Sequence, residues 1–239
     1  MSQPVATLPT ALVSSVDHLV VAAASLEQGV QWCEATLGIT PGPGGEHPLM
    51  GTHNRLFKVA SETYPTAYLE IIAINSVAVS VRKKGARRWF DLDDHALQTH
   101  VAAYGPHLVH FVASTASAQA GTKALAKLGL DRGELLKASR QTPHGLLSWK
   151  ITVREDGQRL FYGALPTLIE WGGVHPSANL PDSGIRLTAL QASHARPEDL
   201  HAAYEAIGLQ KVDITQGRPR LAATFETPRG AVTLESHGI

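Results

Sequence analysis

Cysteine is almost missing from this chain. The single thiol, Cys33, excludes an intramolecular disulfide framework and the small stapled folds that depend on one. Its place among apolar residues at helical spacing makes it a buried, inert thiol rather than a nucleophile. An excess of either charge is missing too. Lys plus Arg and Asp plus Glu both total 21 in 239 residues, so there is no electrostatic footprint for nucleic acid or an anionic membrane. No apolar run approaches the roughly 20 residues of a membrane span, and the N-terminus has neither the charged start nor the long apolar stretch of a secretory signal. A serine nucleophile elbow and a glycine-rich phosphate loop are absent as well. The expectation is a cytoplasmic globular protein that takes a small molecule as its partner and binds neither nucleic acid nor membrane. At 44% hydrophobic, it has the apolar content for a sizeable core.

What is present is a repeat. An apolar-Gly-apolar triplet occurs at Leu37-Gly38-Ile39, Leu128-Gly129-Leu130 and Ile207-Gly208-Leu209. Each triplet follows a short apolar strand and an amphipathic helix, and precedes strand-like segments that close on an apolar-Glu step. In the first copy residues 16–22 read as a strand, Ser25 and Gln28 form a capping box, and Leu26, Val30, Cys33 and Leu37 make the buried helix face. A Gly/Pro cluster at 41–45 breaks the chain before strands at 54–60 and 68–74. The second copy places strands at 108–113, 146–153 and 165–171 around a helix with Gly121, Leu125 and Leu128 on one face. The third places strands near 186–190, 221–226 and 231–235, with Pro197 in the first turn of a helix striped by Leu200, Tyr204 and Ile207. The expected units are a first module at 15–75, a partly helical insertion at 76–105, a second module at 106–175 and a third at 184–239.

Strand alternation puts residues i and i+2 on one face. With Leu19, Val21, Leu69 and Ile71 packed under the first helix, His18 and Glu70 face the other side. The second copy repeats the arrangement, with His110 opposed to Phe111 and Glu170 opposed to Ile169 and Trp171. His47 with His53, and His107 with His110, are weaker rival pairs. The basic run of Arg82, Lys83, Lys84, Arg87 and Arg88 reads as a solvated face.

The stretches Asp17-His18-Leu19-Val20-Val21, 47–54, Tyr68-Leu69-Glu70, Val109-His110-Phe111 and Leu168-Ile169-Glu170 resemble the glyoxalase-like branch of the vicinal oxygen chelate superfamily (glyoxalase/bleomycin resistance/extradiol dioxygenase). The resemblance implies an α+β fold of repeated βαβββ modules in cupped mixed sheets, two paired modules plus a third, degenerate one. It implies His18, Glu70, His110 and Glu170 as ligands of a divalent metal (Ni, Co, Zn, Mn or Fe), with Glu70 and Glu170 catalytic. His53, Asn54, Arg55, Tyr68, Trp89 and Phe90 are the expected substrate contacts. The function implied is a metal-dependent lyase or isomerase on a small oxygenated metabolite. The alternatives are an extradiol-type dioxygenase using His18, His110 and Glu170 around Fe(II), and a metal-free binding or resistance protein. The third copy has no histidine matching His18, and its apolar segments at 221–225 and 231–234 suggest a sheet face shared with a second chain in a homodimer.

Overall fold

A computed structural model describes residues 11–78 and 83–238; Arg82 of the basic run lies outside the described residues. Among them no helix is long and apolar enough to cross a membrane.

Two strands with the pattern His-apolar-Val at their centres, β1 (Ser14–Ala22) and β5 (His107–Thr115), lie antiparallel in the middle of an eight-stranded sheet. From β1 the chain passes through α1 (Leu26–Leu37), β2 (Gly42–His47) and β3 (Thr52–Lys58) to β4 (Tyr68–Ile74), which returns parallel to β1. The insertion carries α2 (His95–Tyr104). From β5 the path repeats through α3 (Ala118–Ala126), β6 (Glu134–Thr142) and β7 (Gly145–Val153) to β8 (Thr167–Trp171), parallel to β5. The strand order β2-β3-β4-β1-β5-β8-β7-β6 is thus two βαβββ modules joined through their first strands. Their curl brings the two edges together. A Cβ on Gly45 in β2 would fall 1.8 Å from Nη1 of Arg140 in β6.

Local signals explain the elements. Ser25 Oγ accepts the Gln28 amide at 3.1 Å and Gly38 ends α1 in the left-handed region at φ 80. The Gly/Pro cluster, expected to break the chain, instead forms β2. Its glycines let two backbones meet, since a Cβ on Gly44 would lie 2.0 Å from the Asn54 carbonyl oxygen. Strand β6 also escaped the sequence reading, because its residues alternate between half-buried and exposed rather than apolar and polar. Leu128 lies past the end of α3 and is exposed, so the buried face of that helix is Ala118, Gly121 and Leu125.

The third unit runs β9 (Arg186–His194), α4 (Pro197–Ile207), β10 (Asp213–Gln216), β11 (Arg220–Thr227), β12 (Gly230–Glu235). It keeps the element order βαβββ, but its strand order is β10-β9-β11-β12, so its first strand does not lie beside its last. Its apolar face is already covered. Leu187, Leu190, Leu221, Ala223 and Phe225 share one core with Leu19, Leu69, Phe111 and Leu168 on the helix side of the large sheet. Tyr204 Oη donates to the Ala164 carbonyl at 2.6 Å and Ser14 Oγ to the Ile207 carbonyl at 2.7 Å. The homodimer expectation rested on an uncovered face at 221–225 and 231–234, and within the chain the apolar residues of that face are covered: Leu221, Ala223, Phe225 and Leu234 are buried and Val232 is partly so. A second core on the opposite, cupped side is filled by the insertion, through Trp89, Phe90, Leu92, Leu97 and Val101.

Because the two sheets share one core, they are expected to unfold together. Phe225→Ala should cost about 3–5 kcal/mol and shift a single urea transition, read by far-UV circular dichroism and tryptophan fluorescence. Two separated transitions would show that the third unit is an independent domain.

Candidate functional site

Simple alternation puts Asp17 and His18 on opposite faces of β1. They share one. Val16 pairs with Ala113 and His18 with Val112, which leaves Asp17 as the extra residue of a β-bulge. Asp17 is fully buried, and its Oδ1 lies 2.7 Å from His18 Nδ1. Its Oδ2 accepts from Trp171 Nε1 at 2.8 Å and from His175 Nε2 at 2.9 Å. The donor on His175 is fixed, because its Nδ1 accepts the Ser177 amide. Burial pushes the Asp17 carboxyl up, but the bonds and charges of His175 and His18 outweigh it and hold the group well below the ordinary carboxylate range. An ionised Asp17 keeps the proton of His18 on Nδ1 and turns Nε2 toward Glu70, whose Oε2 is 3.6 Å away.

Glu70 is held in turn. Asn54 Nδ2 donates to its Oε1 at 2.5 Å, while Asn54 Oδ1 accepts the Gly45 amide at 2.8 Å. His47 stands behind, with Nδ1 3.1 Å from Thr52 Oγ1 and Nε2 3.3 Å from Asn54 Nδ2. Burial brings the His47 pKa down to about 4, with Arg140, His18 and His53 adding to the effect against the pull of Glu70. Tyr68 stacks on His18 with ring centroids 4.6 Å apart. Burial first, and then the charges of Asp17 and Glu70, raise its phenol well above its ordinary range. His18, Glu70, Asn54 and His47 border a small space of ≈ 40 Å³. Leu56, Arg140, Leu147 and Pro176 form the wall between it and a cavity of ≈ 840 Å³ that lies between β2, the β6–β7 hairpin and residues 174–183.

The second module has the same bulge with different contents. Val20 pairs with His110 and Val21 with Leu108, so Val109 is the extra residue and takes the place that Asp17 holds in the first module. In the first module Val20 pairs with Glu70, and in the second Val112 pairs with Thr167. Thr167 therefore stands where Glu70 stands, and its Oγ1 meets His110 Nε2 at 3.0 Å. His110 Nε2 also accepts the Thr167 amide at 3.1 Å, which leaves Nδ1 to donate to the Gly163 carbonyl at 2.9 Å. Burial, with Arg132 and Arg159 nearby, holds His110 well below the ordinary imidazole range. Arg132 Nη2 donates to Thr167 Oγ1, and burial lowers the Arg132 pKa to about 10. Trp89 and Phe90 close this half of the cup. Phe90 lies 5.2 Å from His110 and Trp89 lies 5.1 Å from His47, centroid to centroid.

Glu170 lies three residues beyond Thr167 and on the other face. Ile169 belongs to the cup-side core and Leu168 to the helix-side core, so Glu170 points toward α3. There its Oε2 accepts the Ala118 amide at 3.1 Å and its Oε1 meets Lys150 Nζ at 2.5 Å. Burial opposes ionisation, but these two partners lower the pKa of Glu170. It is a helix cap, not a cup residue. The expected four-ligand set therefore does not assemble. His18 and Glu70 meet, His110 has both nitrogens engaged by the protein, and Glu170 is on the wrong side of the sheet. Among the described residues no group of three or more His, Cys, Asp or Glu is arranged to hold a metal ion. The donor set thus fits neither the six-coordinate metal cage nor the dioxygenase triad of His18, His110 and Glu170.

Of the expected substrate contacts, Asn54, Tyr68, Trp89 and Phe90 border the small space, whereas His53 and Arg55 alternate to the other face of β3 and line neither cavity. Asp17, Arg140, Trp171 and His175 were not foreseen as site residues. The one sequence signal for Asp17 was its place beside His18, which alternation argued against. The glyoxalase-like domain family matches residues 16–208. The chain belongs to this family. This glyoxalase-like protein matches no curated protein. Its fold is similar to that of a hypothetical protein from Staphylococcus aureus, at 11% identity and a TM-score of 0.56, with 87% of this chain and 88% of that one covered. A methylmalonyl-CoA epimerase from Mycobacterium tuberculosis aligns at 15% identity and a TM-score of 0.38, over 70% of this chain and 92% of its own. The vicinal oxygen chelate assignment thus rests on the family match and on the paired modules.

Acid should weaken the glyoxalase-like fold through its buried imidazoles. His47 and His110 stay neutral when folded but take up protons near pH 6.5 once unfolded. The unfolded chain therefore binds more protons between about pH 6.5 and 4, and stability is lost as pH falls through that window. Urea unfolding at pH 7, 6 and 5 should show a slope of up to about 1.4 kcal/mol per pH unit for each imidazole, and His110→Gln should remove its share. A flat profile would contradict the assignment. Glu170→Ala should cost about 1 kcal/mol and leave ligand binding in the cup unchanged, measured by the same unfolding and by calorimetry.

Proposed function

We propose that this glyoxalase-like protein is an isomerase or lyase that moves a proton at a carbon beside a carbonyl of a small oxygenated metabolite, using side chains rather than a metal cage. One observation carries the reading: an Asp17–His18 pair presents Nε2 to Glu70 in a small polar space that Leu56, Arg140, Leu147 and Pro176 part from a large cavity. His18 takes the proton on Nε2, and the imidazolium formed lies between the Asp17 and Glu70 carboxylates, whose charges stabilise it. The imidazolium then passes this proton from Nε2 to the Glu70 carboxylate beside it. The protonated Glu70, held by Asn54, delivers it to the neighbouring atom of the enolate, which returns His18 to neutral and Glu70 to carboxylate. The apolar surroundings of Tyr68, Trp89 and Phe90 strengthen these charges by excluding water. The second reading, a metal-free binding protein, draws on the aromatic plug that fills the other half of the cup.

Proton magnetic resonance in D₂O separates the two. Incubated with a panel of ketones, aldehydes and 2-oxo acids, the protein is expected to incorporate deuterium beside the carbonyl of at least one of them. His18→Asn and Glu70→Gln should each slow that incorporation by about 10²-fold or more, and a chelator should leave it unchanged. No incorporation from any member, combined with a ligand-induced rise in melting temperature, would favour the binding protein. Incorporation lost to the chelator and restored by a divalent ion would return the metal to the mechanism.

A further inference from the structure

We infer that Arg140 is a carboxylate receptor, so that the molecules taken by this cavity are singly charged carboxylates with an apolar tail. The inference rests on the reading that this cavity binds the substrate, and it adds the substrate's chemical class.

Arg140 lies on β6 in the wall between the small polar space and the cavity of ≈ 840 Å³. Its Nε and Nη1 are buried and have no hydrogen-bond partner among the described residues, although a guanidinium carries five donors and a strong penalty for leaving them unmet. No carboxylate of the described residues forms an ion pair with it. The fold makes room for this group at some cost, because Gly45 opposite has no Cβ where one would strike Nη1. The guanidinium fork matches a planar carboxylate in two parallel bonds. One cation, bordering the same small space as Glu70 and with no lysine in the lining of either cavity, suits a single negative charge better than a phosphate's two. Most of the cavity's surface is apolar, with Ile39, Leu56, Leu146, Val174 and Leu180 among its walls, although Glu46 and the Arg186-paired Asp182 also border it, and it is large enough for a chain of several carbons.

The test is calorimetric titration with hexanoate, hexanamide and hexyl phosphate, on the full chain. Hexanoate should bind at least about ten times more tightly than hexanamide. Arg140→Gln should weaken hexanoate about ten- to a hundredfold and leave hexanamide unchanged, while Arg140→Lys should recover part of the loss. Gly45→Ala, which displaces the guanidinium while keeping its charge, should also weaken hexanoate. Equal binding of hexanoate and hexanamide, an Arg140→Gln protein that binds hexanoate like the parent, or no binding by any probe would each overturn the inference. Hexyl phosphate binding more tightly than hexanoate would overturn the choice of a singly charged anion. Arg140→Met controls for folding, since losing an unpaired cation should raise the melting temperature; a fall would mean that Arg140 has a structural partner and would count against the receptor. Glu70→Gln should retain hexanoate binding, so binding that depends on Arg140 without any deuterium exchange would sink the proton-transfer reading and leave this one standing.

Discussion

The bulge at Asp17 is the constraint on which the site depends. A regular strand cannot aim two successive side chains at the same cup, and the pair that orients His18 is made of two successive residues. Inserting one unpaired residue between Val16 and His18 turns Asp17 inward. Trp171 and His175 then close over its second oxygen and make its burial tolerable. Without Asp17 the tautomer of His18 would be free, and Trp171 and His175 would each leave a donor unmet. The bulge therefore joins both modules and the segment after β8 through one carboxylate.

The same backbone device in the second module shows how a duplicated cup can specialise. Both modules have a bulge one residue before the histidine and a residue paired with the valine two places after it. In the first these positions hold Asp17 and Glu70, in the second Val109 and Thr167. Removing both carboxylates makes His110 a neutral strut that links Thr167 and the Gly163 turn. Gly163 permits that contact, since a Cβ there would lie 2.1 Å from the Val109 carbonyl oxygen. The volume a second half-site would use is given to Phe90, which enters the cup on a left-handed backbone at φ 59. Arg159 holds the adjacent Asp91 at 3.0 Å and so secures the turn.

Much of the fold was legible because each module advertises its strand and helix periods and its glycine stops. The pairing of His18 with Glu70 was legible for the same reason, since alternation holds along β4. The failures have one physical origin. Periodicity assigns residues to two faces but does not say which face is the cup, and in β8 Ile169 and Trp171 face inward while Glu170 faces the helix. A glutamate three places from the true equivalent position was therefore read as its match. Bulges add one residue without changing composition, so Asp17 could not be placed from the sequence. Arg140 sits on a strand whose residues alternate in burial but not in polarity, and only closure of the sheet reveals what it faces.

The distribution of charge across the cup sets this half apart from the other. Asp17 is stabilised by donors from two other segments, so its charge is satisfied before any ligand arrives. Arg140 is the opposite case, a cation whose buried Nε and Nη1 meet no acceptor among the described residues. Pairing it with Glu70 would have neutralised both groups and lowered the cost of folding. Instead Asn54 holds Glu70 and Gly45 makes space for Arg140, so that each charge stays separate and faces the space between them. Stability given up in this way is returned when a ligand supplies the missing acceptor. That difference underlies the proposed selection of anions, and it leaves His18 and Glu70 unpaired by the guanidinium.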